Sequence, residues 1–222
     1  MIELRRRDHV LVLGHRGAAA LAPPNSLASL RVAAEAGADG VEIDVLRGAG
    51  GGLVLAHGPR VPADAPGLGE ALDLVAELGL IVQLDVKLTG AAAEIARAVR
   101  ESGLEERAFA SSFSMKALAE LREAASWLPR SYTYPGSPAS ALLRALLPLR
   151  LLPWLDAVGA RATTLKTTVI TRRVVAACHG AGVAVHAWTV NDPGTAGILV
   201  ERGVDAIITD DPRSVPGGMT DT

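Results

Sequence analysis

The chain has 222 residues, 49% of them hydrophobic, which suits one domain over 1–222 with a full core. Phe, Trp and Tyr together make only 3%, so that core must be aliphatic. A formal net charge of -2 excludes a global basic field that would draw nucleic acid or an anionic membrane surface. Cys178 is the only cysteine, so no intrachain disulfide can form, and a cytoplasmic, reducing setting is the simpler reading. The basic start, Met1 to Arg7, precedes an apolar run of only Val10 to Leu13, too short for a signal peptide. No transmembrane segment is expected. The most apolar window, Ala141 to Ala160, is broken by Arg144, Pro148, Arg150, Pro153 and Asp156, although Leu142 to Leu155 could form an apolar lip for peripheral lipid contact.

Short β-rich runs alternate with Ala/Leu-rich stretches of helical period, the pattern of a parallel sheet with crossover helices. In chain order, strands are expected near Val10–Gly14, Gly40–Val45, Leu80–Lys87, Arg107–Ser112, Ser131–Tyr134, Ala157–Thr163, Val183–Thr189 and Asp205–Thr209. Helices fit between them at Ser26–Ala36, Leu68–Leu78, Ala91–Glu101, Met115–Ala125, Ala139–Leu147, Thr171–Ala181 and Pro193–Arg202. Asn25 is a candidate cap for the first helix, and Gly37, Gly79, Gly103, Gly182 and Gly203 stand where helices should end. Leu53 to Ala56 reads as an extra strand in a hairpin, and Pro59 to Pro66 as a surface loop.

Glu42 and Asp44 lie two apart on a predicted strand, so both carboxylates face one way and can grip a cation. Hard oxygen ligands suit Mg²⁺ or Ca²⁺. A solvated Glu-x-Asp pair is the plainer alternative. Asp85 and Lys87 repeat the spacing at the end of an apolar strand, where a strand-end salt bridge is equally natural. Together these residues crowd three carboxylates and one ammonium at neighbouring strand ends, which is costly unless a metal neutralises them. His15 and Arg16 end the first strand ahead of Gly17, and the arginine fork suits phosphate oxygens. His57 closes the extra strand; two imidazoles beside a metal and a phosphate can divide acid and base work, although either alone is more often structural. His9, His179 and His186 have plainer settings before a strand, at a helix end and within a strand.

These residues fall in blocks that resemble the glycerophosphodiester phosphodiesterases over nearly the whole chain. The blocks are His15-Arg16-Gly17, Pro23 with Asn25-Ser26, Gly37 to Val45, His57, Asp85-Val86-Lys87, Ser111-Ser112-Phe113, Ala187 to Asp192, and Gly203 to Asp210. The resemblance implies an α/β fold, a compact (β/α)₈ TIM barrel, in which Glu42, Asp44 and Asp85 bind a divalent cation and His15 and His57 do acid/base chemistry. It also implies that Arg16 and Lys87 hold the phosphate of a small-molecule phosphodiester and that Trp188 walls the pocket. The chain departs from the family pattern in four places. Pro24 and Gly58 stand where the family places carboxylates, the third metal ligand is Asp85 rather than Glu, and the usual insertion shrinks to Gly58 to Gly67. The expected activity is metal-dependent hydrolysis of glycerophosphodiesters to glycerol 3-phosphate and an alcohol. The short insertion also suggests a lysophospholipase D- or sphingomyelinase D-like activity on lipids, and the two lost carboxylates a catalytically silent barrel that binds a phosphorylated ligand.

Overall fold

A computed structural model of the chain describes residues 4, 9–58, 60–134 and 146–215. Its elements run β1 (Leu11–His15), α1 (Leu27–Glu35), β2 (Gly40–Arg47), β3 (Leu53–Leu55), α2 (Leu68–Glu77), β4 (Ile81–Val86), α3 (Ala92–Glu101) and β5 (Ala108–Ser112). Then come α4 (Met115–Ala124), β6 (Arg130–Thr133), α5 (Leu147–Ala157), β7 (Ala162–Lys166), α6 (Arg172–Gly180), β8 (Ala184–Trp188), α7 (Pro193–Glu201) and β9 (Ala206–Thr209). Parallel pairing runs β1-β9-β8-β7-β6-β5-β4-β2, and β1 also pairs with β2, which closes the (β/α)₈ barrel. β3 is the expected extra strand: it folds back antiparallel on the end of β2, Val45 opposite Leu55.

Strand alternation divides the interior. Val41, Ile43 and Val45 face the helices and join the larger core with Leu72, Ile95, Leu118, Val174 and Leu199. Leu11, Leu13, Ile81, Phe109, Ala162, Ala184, Ala206 and Ile208 point into the barrel and fill its lower part, alanines standing where Phe109 needs room. Above this plug the inward positions turn polar, so the site lies at the C-terminal ends of the strands.

Local chemistry explains the helix starts. Ser26 and Ser29 cap each other's backbone N–H at α1, and Ser114, Thr171 and Asp192 accept from the first turns of α4, α6 and α7. The cap of α1 is therefore Ser26 and not Asn25, whose side chain is turned inward. All five glycines expected to end helices have positive φ.

The expected strand Ala157–Thr163 is displaced: Ala157 ends α5, and β7 begins at Ala162. Leu147, Leu151 and Leu155 recur every four residues and bury one helical stripe, so packing carries the helix past Pro153 to Ala157, while Pro148 sits in the first turn, where proline fits. Arg130 then fastens the turn, donating from Nε to the Val158 carbonyl at 3.0 Å and from Nη2 to the Gly159 carbonyl at 3.1 Å. The expected helix Ala139–Leu147 falls mostly outside the described residues. Within 146–155, Leu147, Leu151 and Leu155 serve the core, whereas Leu146 and Leu149 are exposed. Among the described residues, no helix is long and apolar enough to cross a membrane.

Gly17 has φ +83, and a Cβ there would stand 2.3 Å from Ser29 Oγ and 2.6 Å from the Ser29 carbonyl carbon. We expect Gly17→Ala to lower unfolding free energy by about 2 kcal/mol or more in urea titrations, since neither backbone nor helix can yield. Exposed Gly69 in α2 has nothing within 4 Å of an added Cβ, and Gly69→Ala should be neutral or stabilise by up to about 1 kcal/mol.

Candidate active site

Register brings the chemistry together. His15 is the strand partner of Glu42, Asp44 of Asp85, and Asp85 of Ser111. Because laterally paired residues in a parallel sheet point the same way, the side chains of four adjacent strands meet at one spot inside the barrel mouth. His15, Glu42, Asp44 and Asp85 border a cavity of about 90 Å³, lined also by Arg16, His57, Gln83, Lys87, Phe113, Thr133, Thr164, Trp188 and Ile208. All eight residues singled out from sequence line it. The three other histidines do not: His9 binds Asp39, His179 binds Asp205, and His186 is buried edge-on against Phe109.

Glu42, Asp44 and Asp85 are all buried, and one ligand atom from each lies within 4.8 Å of the others. Lys87 Nζ sits 2.9 Å from Asp44 Oδ1 and also pairs with Asp85 Oδ2. Arg16 Nε lies 3.0 Å from Asp44 Oδ2, close enough for charge attraction but without hydrogen-bond alignment. Both cations thus lean on the aspartates. Glu42 instead accepts the Arg16 backbone N–H at 3.0 Å, and its carboxyl is pushed well above the usual carboxylate range, first by burial and then by Asp44 and Asp85. Burial raises Asp85 as well, against the pull of Lys87. Burial opposes the Lys87 charge, but Asp85 and Asp44 outweigh it and raise its pKa. Three buried carboxylates against two cations leave one negative charge over, and the donors are all oxygen; the residues present therefore fit a divalent metal.

His15 Nδ1 lies 2.6 Å from Asp210 Oδ1, which fixes the ring with Nδ1–H donating and leaves Nε2 as an acceptor, 4.0 Å from Glu42 Oε2. Asn191 donates to the other oxygen of Asp210 at 2.6 Å. His57 is exposed and makes no hydrogen bond among the described residues; desolvation of its ring lowers its pKa, with Arg16, Lys87 and His15 adding to the effect against Asp44. Gly58 beside it has φ +92, a backbone conformation in which an Asp would be strained although there is open space for its side chain. Pro24 is exposed at the rim of a second cavity of about 330 Å³, which shares Arg16 and His57 with the first.

Sequence reasoning missed the residues that hold the site. Asn25 donates to Asp44 Oδ2 at 2.9 Å and accepts the Asp44 backbone N–H at 3.0 Å. Ser111 donates to Asp85 Oδ1 at 2.9 Å and accepts from Gln83. Arg16 and Asn25 are the two non-glycine residues with positive φ among the described residues, 52 and 57, and Asn25 N–H bonds the Arg16 carbonyl at 3.0 Å. That paired strain at one mouth is a structural mark of function. The available signal was Asn25 itself, a residue type that tolerates left-handed backbone.

Asn25→Ala removes both bonds to a buried aspartate and should cost about 2–3 kcal/mol of stability in urea unfolding. Asn25→Asp adds a fourth carboxylate against Asp44, and its extra cost should shrink when unfolding is measured near pH 4.

Comparison with known proteins agrees with this geometry. The glycerophosphoryl diester phosphodiesterase family matches residues 15–67 and 77–214. A glycerophosphodiester phosphodiesterase of Caldanaerobacter subterraneus subsp. tengcongensis is 26% identical over 244 residues, covering 92% of this chain and 96% of the relative. Among solved structures, an Oleispira antarctica phosphodiesterase in complex with the product sn-glycerol-3-phosphate superposes with a TM-score of 0.76 at 24% identity, covering 93% of this chain and 95% of that one. A glycerophosphodiester phosphodiesterase from Parabacteroides distasonis gives 0.75 at 24% identity, with coverage of 93% and 95%. With a match that covers most of the chain and takes in all eight of the residues singled out, the chain belongs to the glycerophosphoryl diester phosphodiesterase family.

Proposed function

We propose that this protein hydrolyses glycerophosphodiesters to glycerol 3-phosphate and an alcohol with the help of a divalent cation. The observation that carries the reading is the convergence of Glu42, Asp44 and Asp85 within 4.8 Å, beside an imidazole nitrogen held ready by Asp210. Family membership and the product-bound relative support the substrate class.

Glu42, Asp44 and Asp85 would hold Mg²⁺ or Ca²⁺. When bound, such an ion supplies Lewis-acid polarisation of a phosphoryl oxygen and neutralises the excess carboxylate charge. Arg16 and Lys87, already at the cluster, hold the remaining phosphate oxygens and stabilise the charge that develops on them. His15 Nε2 takes the proton of the attacking water as its oxygen bonds to phosphorus, and Asp210 stabilises the imidazolium that forms. The phosphorus–oxygen bond to the alcohol breaks, and His57 gives its proton to the departing oxygen. A lowered pKa makes His57 a readier donor, and it makes the protonated form, and with it the rate, fall off from a lower pH than for an ordinary histidine. The cavity beside Pro24 and His57 gives the alcohol a way out.

Leaving-group chemistry tests the two histidines. An alkoxide needs a proton and p-nitrophenolate does not. His57→Ala should cut kcat on glycerophosphoglycerol by about 10²–10⁴ and on bis(p-nitrophenyl) phosphate far less, whereas His15→Ala should cut both. Equal losses in the two variants on both substrates would reject these roles.

The metal is tested by stability. Glu42 has a folded pKa above its unfolded value, so the folded state holds more protons between the two, and metal-free stability falls as pH rises through that window. Glu42→Gln should raise the melting temperature of metal-free protein at pH 7. Mg²⁺ or Ca²⁺ should raise the melting temperature of the parent, more at pH 8 than at pH 5, and lose that effect in Glu42→Gln.

A further inference from the structure

Three buried polar atoms on residues that line the pocket have no hydrogen-bond partner among the described residues: Gln83 Oε1, Thr133 Oγ1 and Trp188 Nε1. Gln83 and Thr133 are each only 2% exposed, so water outside the fold does not reach them, and leaving them unmatched is costly. Gln83 stands two residues before Asp85 on β4 and is the register partner of Phe109 in the apolar plug, which sets it at the floor of the pocket beneath the carboxylates. Thr133 and its register partner Thr164 belong to the uncharged side of the same pocket, together with Phe113, Trp188 and Ile208.

The surroundings fix what each atom can do. Ser111 donates its one hydroxyl proton to Asp85 Oδ1, so toward Gln83 it can only accept. The Gln83 amide must therefore turn its NH₂ to Ser111, at 2.9 Å, and present its carbonyl oxygen elsewhere. Thr164 Oγ1 already shares a hydrogen bond with Ser131 at 2.9 Å, whereas the Thr133 hydroxyl is open. On the aromatic wall, Lys87 Nζ lies 5.1 Å from the Phe113 centroid and Lys166 Nζ 5.8 Å from the Trp188 centroid. The protein's own ammonium groups thus attend both rings, and the unused chemistry of the wall is the indole N–H. The set is an acceptor that cannot donate, a donor that cannot accept, and a hydroxyl that can do either. An ammonium group would satisfy Gln83 but not Trp188, and a carboxylate or phosphate would satisfy Trp188 but not Gln83. An alcohol group satisfies both.

We infer that Gln83, Thr133 and Trp188 form a subsite for an uncharged, hydroxyl-bearing arm attached to the phosphate, and that Gln83 and Thr133 are specificity-determining residues for it. This rests on the hydrolytic reading above and adds to it which side chains tell a polyol arm from an alkyl arm of the same length. Gln83 also ties that arm to the reaction centre, because the amide that reads the hydroxyl holds Ser111, and Ser111 holds Asp85.

Calorimetric titration with sn-glycerol 3-phosphate and with propyl phosphate, both in the presence of Mg²⁺, tests the subsite. The ratio of the two affinities is taken within each variant, so that changes at the phosphate and the metal cancel. The parent should favour glycerol 3-phosphate by about tenfold or more, the factor that matching one buried polar atom supplies. Thr133→Ser should keep the ratio, and Thr133→Val and Gln83→Leu should each lower it by about three- to tenfold. The melting temperature of the ligand-free protein separates recognition from a structural role. A hydroxyl that waits for a ligand adds nothing to the fold, so Thr133→Val should leave the melting temperature unchanged or raise it. A parent without preference would overturn the inference, as would a ratio unmoved by both Thr133→Val and Gln83→Leu. If the parent hydrolyses no diester but keeps the ratio, the hydrolytic reading fails alone; if it hydrolyses glycerophosphodiesters and the ratio does not move, the subsite fails alone.

Discussion

Three carboxylates buried within 4.8 Å of one another are the constraint around which the rest of this structure is arranged. Like charges out of water repel strongly and lose their hydration, so such a cluster persists only where the surrounding fold holds it in place. The closed barrel does this by register. Glu42 and Asp44 cannot move apart along β2, and Asp85 cannot slide away from Asp44 without slipping β4 against β2 through all six of their paired residues. Asn25, Ser111, Lys87 and Arg16 then saturate the oxygens on the aspartate side and leave Glu42 as the group whose charge is least matched.

The same arrangement shows how a compact member of the family keeps its chemistry. Pro24 and Gly58 lie at the periphery, whereas the inner cluster lies on strands and is held by Gln83 and Ser111 from β4 and β5, Asn25 from the loop before α1 and Arg16 after β1. His57 has no hydrogen-bonded partner among the described residues, and a cavity lined by residues of the loop after it lies beside it.

Most of the frame could be read from the chain because it rests on local rules. Period-two apolar runs, glycines at helix ends and the Glu42–Asp44 and Asp85–Lys87 spacings each express a constraint within a few residues. What sequence reading missed depends on partners far along the chain. Asp210 reaches His15 across 195 positions, and Asn25 reaches Asp44 only because its own backbone is left-handed. The β7 boundary was misplaced for a similar reason: α5 runs through Pro153 because three leucines bury against the core, and Arg130, from a different strand, fixes where it stops. Lys166 lies beyond the strand expected there, which stopped at Thr163, and the closed barrel sets it over Trp188.

The hairpin that carries His57 divides the site into two parts of different firmness. On one side are strand ends locked by the closed sheet; on the other is a single imidazole, tethered through β3 to the outer end of β2 and followed by a glycine in a backbone conformation few residues share. If His57 is the acid proposed above, its ring would reach a working orientation only by giving up rotational freedom when a diester is in place. On the proposed mechanism, part of the affinity for substrate would be spent on ordering His57, so tight binding and fast turnover need not improve together.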